Sequence, residues 1–148
     1  RYQLIENEEI LLIAARSTQL ARRIPNGTPL HIAQAKEERF ISLAVGHSIR
    51  TVQDRLFLLS GIQPEILLES HNFEACRRLT LALGAVMLCP DAYVSRVPDL
   101  DLSEKLNAYP LLDGDMMRHF YLCCRRDMHF TRYMEDFLLI LRQELAQS

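Results

Sequence analysis

The chain has 148 residues, of which 49% are hydrophobic, with a formal net charge of −2. That is enough apolar material for one ordinary domain with its own core, and it excludes a disordered chain. The near-neutral balance, with no basic stripe and no block of like charge, argues against direct binding to a phosphate backbone.

In chain order, Ile10–Ala15 (Ile-Leu-Leu-Ile-Ala-Ala) is a continuous apolar run of strand length. Ser17 or Thr18 caps a short helix through Leu20, Ala21 and Ile24, and Pro25-Asn26-Gly27 turns the chain. Leu30–Glu38 is a second helical candidate, and Phe40–Val45 a second strand. Gly46-His47-Ser48 then opens a helix with Ser48 as its expected N-cap. Ile49, Val52, Leu56 and Leu59 form its apolar face and Gly61 ends it.

The stretch Gly61–Pro90 reads as turn, strand, helix, strand. Glu65–Glu69 has strand length, and Ser70 and Asn72 are both plausible N-caps. Phe73, Cys76, Leu79 and Leu83 share a helix face at spacings of 3, 3 and 4. Gly84 fits the left-handed position after a helix, and Val86–Cys89 is apolar throughout, as a strand covered on both faces is. This is a β-α-β crossover, the unit of open parallel sheets. Asp91–Pro110 reads as an irregular excursion with one helical turn near Leu102–Leu106. Phe120–Cys124 reads as a strand, and Thr131 opens a last helix with Met134, Phe137, Leu138, Leu141 and Leu145 on one stripe. The alternation predicts an α/β fold with a mainly parallel sheet flanked by helices.

Four cysteines, Cys76, Cys89, Cys123 and Cys124, fall in apolar runs without a C-x-x-C pair, which points to reduced, buried thiols in a cytosolic compartment. Adjacent Cys123 and Cys124 point to opposite faces of a strand, and no Cys/His spacing supports zinc, so no metal and no cofactor are expected. No apolar stretch has membrane-spanning length. Ser70, His71 and Asp91 do not sit in a nucleophile elbow, and no nucleophile–base pair supports an enzyme.

The most site-like stretch is Ser42–Arg50: a strand end, a glycine turn and a capped helix start. Ligands of open α/β sheets bind outside the carboxyl ends of strands, where helix N–H groups attract anions. The alternative is a structural cap with nothing bound. Gly46 stands without a P-loop lysine or a G-x-G-x-x-G pattern, which leaves a nucleotide site without support.

Several segments, in order, resemble the effector-binding domain of LysR-type transcriptional regulators. They are Glu9–Ile13 with Leu20-Ala21, Glu38–Ile41 with Gly46–Arg50, Gly61–Ile66 with Glu69 and Ser70, Ala82–Pro90, and Leu122–Arg126 with Phe130, Thr131 and Phe137. One departure is that the two glycines of the family's turn before the last parallel strand fall on Leu83 and Ala85, with Gly84 between them. The resemblance implies a periplasmic-binding-protein-like fold. On that resemblance residues 14–117 would form lobe two, 8–13 and 119–125 the crossover strands, and 130–147 the closing helix of lobe one.

The resemblance further implies a piece of a longer bacterial, cytoplasmic regulator, without the winged helix-turn-helix and the first half of lobe one. A small-molecule effector, expected to carry a carboxylate, would bind between the lobes. Ser42, Val45, Gly46, His47 and Ser48 would line lobe two's side, with Phe73 and Leu122 beside them. The partners implied are a homodimer or homotetramer, and DNA only through the N-terminal domain. A two-lobed solute-binding protein of a transport system is the runner-up, and a small α/β enzyme a third class.

Overall fold

A computed structural model describes residues 2–95 and 104–146. The chain divides into two compact units, residues 9–116 and residues 1–8 with 117–148.

The larger unit holds the apolar core. Strand β1 (Tyr2–Ala15) begins in the smaller unit, and its buried run Ile10–Ala15 crosses the centre of the larger one. Helix α1 (Gln19–Arg23) follows, capped by Thr18, whose hydroxyl accepts from the Ala21 N–H at 3.1 Å. The predicted helix over Leu30–Glu38 shrinks to a short 3-10 turn at Ile32–Ala35. Next come β2 (Phe40–Leu43), α2 (Ser48–Ser60), β3 (Ile66–Ser70), α3 (Phe73–Ala82), β4 (Val86–Pro90), α4 (Ala92–Ser95) and β5 (Leu106–Pro110).

The strand order is β3-β2-β4-β1-β5. Strand β2 pairs in parallel with β3 and β4, while β1 runs antiparallel to both β4 and β5. The sheet is therefore mixed, and its parallel part is the segment that the sequence reads as crossovers. Both crossovers start or end on the edge strand β3, so α2 and α3 carry the chain out to that edge and back over β2. Strand β4 is buried along its whole length, as a strand covered on both faces must be.

The two helix faces hold at most expected positions, with Ile49, Leu56 and Cys76 buried and Val52 and Phe73 packed against the core, and depart at their last leucines. In α2 the buried residues are Ile49, Gln53 and Leu56, while Leu59 is 69% exposed. Gln53 goes inside because its amide donates to Ser42 Oγ. In α3 the buried residues are Cys76, Arg77 and Thr80, and Leu83 is exposed. Thr80 satisfies its hydroxyl on the Cys76 carbonyl at 2.8 Å. Polar side chains with a hydrogen-bond partner thus share the buried faces with the expected apolar residues.

Strand β5 lies within the stretch read as irregular. Its inward residues are Asn107 and Tyr109. The Asn107 amide donates to the Tyr109 hydroxyl, which donates to the Ile24 carbonyl at 2.8 Å. Pro110 is tolerated because β5 is at the sheet edge. The helical turn expected near Leu102–Leu106 falls partly outside the described residues, and Leu106 itself begins the strand.

In the smaller unit, β6 (Met117–Cys123) pairs with β1, and α5 (Arg132–Ala146) follows. Glu8 and Arg118 form an ion pair there, and Arg142 donates to Gln3 at 2.8 Å. Along α5, Met134, Leu138, Leu141 and Leu145 are half-buried, while Phe137, expected on the same stripe, is exposed. No helix among the described residues is long and apolar enough to cross a membrane.

Candidate functional site

Because β2, β3 and β4 run parallel, their carboxyl ends share one edge of the larger unit. Three loops leave that edge: Ala44–His47 after β2, His71–Asn72 after β3, and Asp91 leading into α4 after β4. The first is flanked by the other two, since β2 lies between β3 and β4.

The loop after β2 is held from several sides. The Ala44 N–H donates to the Ser70 carbonyl at 3.0 Å. Arg50 reaches back from α2 to the Leu43 carbonyl at 3.0 Å and pairs with Glu69 and Asp54 at 2.8 Å each. Hydrogen bonding to Asp54, reinforced by Glu69, raises the guanidinium above its ordinary value, so its charge is permanent. Below the loop, the Cys76 thiol lies 3.5 Å from the Ser42 carbonyl, and burial pushes its pKa up, which keeps it a neutral thiol.

On this frame Val45 is 75% exposed, and Gly46 takes φ 99°, a value that favours glycine. The cap of α2 is His47, not Ser48. His47 is extended at φ −80° and ψ 137°, and its Nδ1 accepts from the Ile49 N–H at 3.2 Å. Accepting at Nδ1 places the neutral ring's proton on Nε2. Ser48 becomes the first helical residue. At α3 the cap is Asn72, whose Oδ1 accepts from the Ala75 N–H at 3.0 Å, while Ser70 Oγ accepts from the Asn72 N–H.

The structure brings Val45, Gly46, His47 and Ser48 together at this edge. Ser42 is close in sequence but points inward, buried and hydrogen-bonded to Gln53, so its hydroxyl faces the core rather than the edge. Phe73 opens α3 and its ring meets Tyr93 of α4 at 4.4 Å. Leu122 belongs to the smaller unit, where it lines a cavity of about 340 Å³ with Met128, Phe130, Tyr133 and Phe137. A second cavity, of about 280 Å³, lies along α2 and β3 between Arg50, Phe57, Leu58 and Pro64.

Tyr93 and Arg77 escaped the sequence reading. Arg77 sits on the buried face of α3 beside Phe73, and nothing in spacing alone marks an inward arginine. Ser70 and Asp91 spend their side-chain oxygens on backbone N–H groups, Asp91 on Ala92 at 2.8 Å, and His71 is exposed. Among the described residues no group of three or more His, Cys, Asp or Glu side chains could hold a metal ion. Cys76 and Cys89 are buried, whereas Cys123 is exposed, against the expectation of four buried thiols.

Comparison with solved structures gives the same fold at low identity. The regulatory domain of CcmR from Synechocystis PCC6803, in complex with 2-PG, superposes with a TM-score of 0.77 at 17% identity, covering 98% of this chain and 66% of that one. The effector-binding domain of BenM with its effector benzoate gives a TM-score of 0.69 at 20% identity, covering 99% and 64%. Full-length CbnR complexed with its target DNA gives 0.69 at 18%, covering 98% and 48%. The chain thus spans about half to two thirds of the length of these structures. No curated protein matches the sequence. The sequence pattern of the family described as "LysR substrate binding domain" matches residues 1–146, and the chain belongs to that family.

Proposed function

We propose that this chain is the ligand-sensing part of a LysR-type DNA-binding transcription regulator, and that its effector binds at the carboxyl edge of β2, β3 and β4. The family match over residues 1–146 carries the regulatory reading. The site reading is supported by three parallel strands ending at one edge beside the start of a 13-residue helix. On this reading residues 14–117 are lobe two, 8–13 and 119–125 the crossover strands, and 130–147 the closing helix of lobe one.

The effector is a small molecule with a carboxylate. It takes the Ile49 N–H from His47 Nδ1, whose bond is long at 3.2 Å, and sits on the positive end of the α2 dipole. Val45 and Gly46 let it approach the backbone. The released imidazole supplies a second contact. The chain acts by binding, not by catalysis.

The effector favours one arrangement of a two-lobed protein over another, and shifts a cytoplasmic homodimer or homotetramer by no more than its difference in affinity for the two states. DNA is bound by another part of the full regulator. Relatives in this fold carry small molecules, 2-PG in one and its effector benzoate in another, and a third is complexed with target DNA, which supports this reading.

The test is thermal unfolding of the chain against a library of small carboxylates. A ligand of the folded state raises the midpoint in a concentration-dependent way. Val45→Glu places a negative charge at the exposed mouth of the site and touches no core residue. The expected result is loss of the ligand-induced rise, with the unliganded midpoint within about 2 °C of the parent. A rise that survives Val45→Glu places the ligand elsewhere and removes this site.

A further inference from the structure

The chain after β4 is held more firmly than a surface loop needs. On one side, Asp91 exchanges backbone and side-chain bonds with Glu9: its N–H donates to the Glu9 carbonyl at 2.8 Å, and its Oδ1 accepts from the Glu9 N–H at 3.3 Å. On the other side, Arg77 donates from Nη1 to the Tyr93 carbonyl at 2.6 Å. The Arg77 side chain is only 4% exposed, and Glu74 holds its other nitrogens, Nε at 3.1 Å and Nη2 at 3.2 Å. Burying a guanidinium is costly unless its donors are satisfied, and here every bond it makes fixes either α3's first turn or the backbone at Tyr93.

What this clamp presents is an aromatic ring. Tyr93 is 40% exposed, and its ring rests on Phe73 at 4.4 Å between centroids, tilted by 46°. Phe73 follows β3 and Tyr93 follows β4, the two strands that flank β2. The ring pair therefore joins the two loops on either side of Val45–Ser48, at the carboxyl ends of β3 and β4. A ring fixed through its backbone and backed by a second ring is preorganised to take a flat partner, because little freedom remains to be lost on binding.

We propose that Tyr93 is a specificity-determining residue of the effector site, that Arg77 is its positioning residue, and that the effector carries a flat unsaturated ring beside its carboxylate. This rests on the effector-site reading above. The carboxylate and the ring have separate holders: the start of α2 for the first, the Phe73–Tyr93 wall for the second.

Benzoate and cyclohexanecarboxylate share the carboxylate and differ in the flatness of the ring, so their affinity ratio isolates the wall. Titration of each into the chain, followed by two-dimensional proton–nitrogen NMR, is expected to shift amides at 44–49 and 91–95, with benzoate about fivefold tighter. Tyr93→Leu should bring the ratio to about one, and Tyr93→Phe, which keeps the ring, should preserve it. Arg77→Lys should narrow the ratio without abolishing the shifts at 44–49, which loss of folding alone would not do. If Arg77→Lys does not fold, the exposed Tyr93 variants still decide.

Equal affinities, or a ratio that survives Tyr93→Leu, would overturn the inference while shifts at 44–49 leave the effector site standing. Absence of shifts at 44–49 with either carboxylate would overturn the effector-site reading and this inference with it.

Discussion

Cys76 lies beneath the loop after β2, and its environment predicts how the thiols behave. Burial raises its pKa, so the folded chain keeps it protonated. Cys89 is also buried, while Cys123 is exposed. At neutral pH a thiol reagent should therefore modify Cys123 in the native protein, and reach Cys76 and Cys89 only through unfolding; mass spectrometry of timed samples reads the order. A raised folded pKa also has a sign. The stability it contributes is complete below the ordinary thiol value and is lost as pH climbs through the raised one. Native labelling of Cys76 as fast as Cys123 would contradict the packing under β2. At this same scale the sequence is least informative. Ser42 looks like a site residue until Gln53 is seen to draw it inward, and His47 looks like a neighbour of the cap until its ring is seen to be the cap. Which way a side chain points depends on a partner that spacing does not name.

Elements were more legible than side chains. The run Ile10–Ala15, the helix after Gly46 and the unit from Ile66 to Pro90 are each written in local sequence, as an apolar run, a capped amphipathic stretch or both. Strand β5 was not, because Leu-Asn-Ala-Tyr-Pro buries an asparagine and a tyrosine that satisfy each other, and alternation of apolar and polar residues cannot reveal such a pair. The first half of β1 is not legible either. Tyr2–Glu8 is largely exposed or half-buried and gains its strand character from pairing with β6, a contact far away in sequence. The helix stops at Gly61 and Gly84 are legible in the sequence, and they differ in a testable way. Both take positive φ, 64° and 59°, but a Cβ at Gly61 meets open space, whereas at Gly84 it would stand 3.0 Å from Ser17 Oγ. Gly61→Ala should cost about 1 kcal/mol from backbone strain alone. Gly84→Ala should cost more, and adding Ser17→Ala should return it to the Gly61 level. Denaturant unfolding measures all three. Equal costs for the two single changes would show that the contact at Ser17 is relieved for free.

At the scale of the whole molecule, apolar burial is divided unevenly. Every member of the buried core cluster lies in residues 9–116. The smaller unit instead exposes Tyr2, Tyr121, Tyr133, Phe137 and Ile140. The larger unit therefore has the means to hold a preorganised edge, and the effector reading places the site there. The measurement that tests this most directly is amide hydrogen exchange of the chain, with and without a carboxylate that raises its unfolding midpoint. Bound ligand should slow exchange at Ser48–Thr51, in the first turn of α2, and at the start of α3 around Phe73. Slowing confined to residues 117–146, with Ser48–Thr51 unchanged, would contradict a site at the carboxyl edge of β2, β3 and β4.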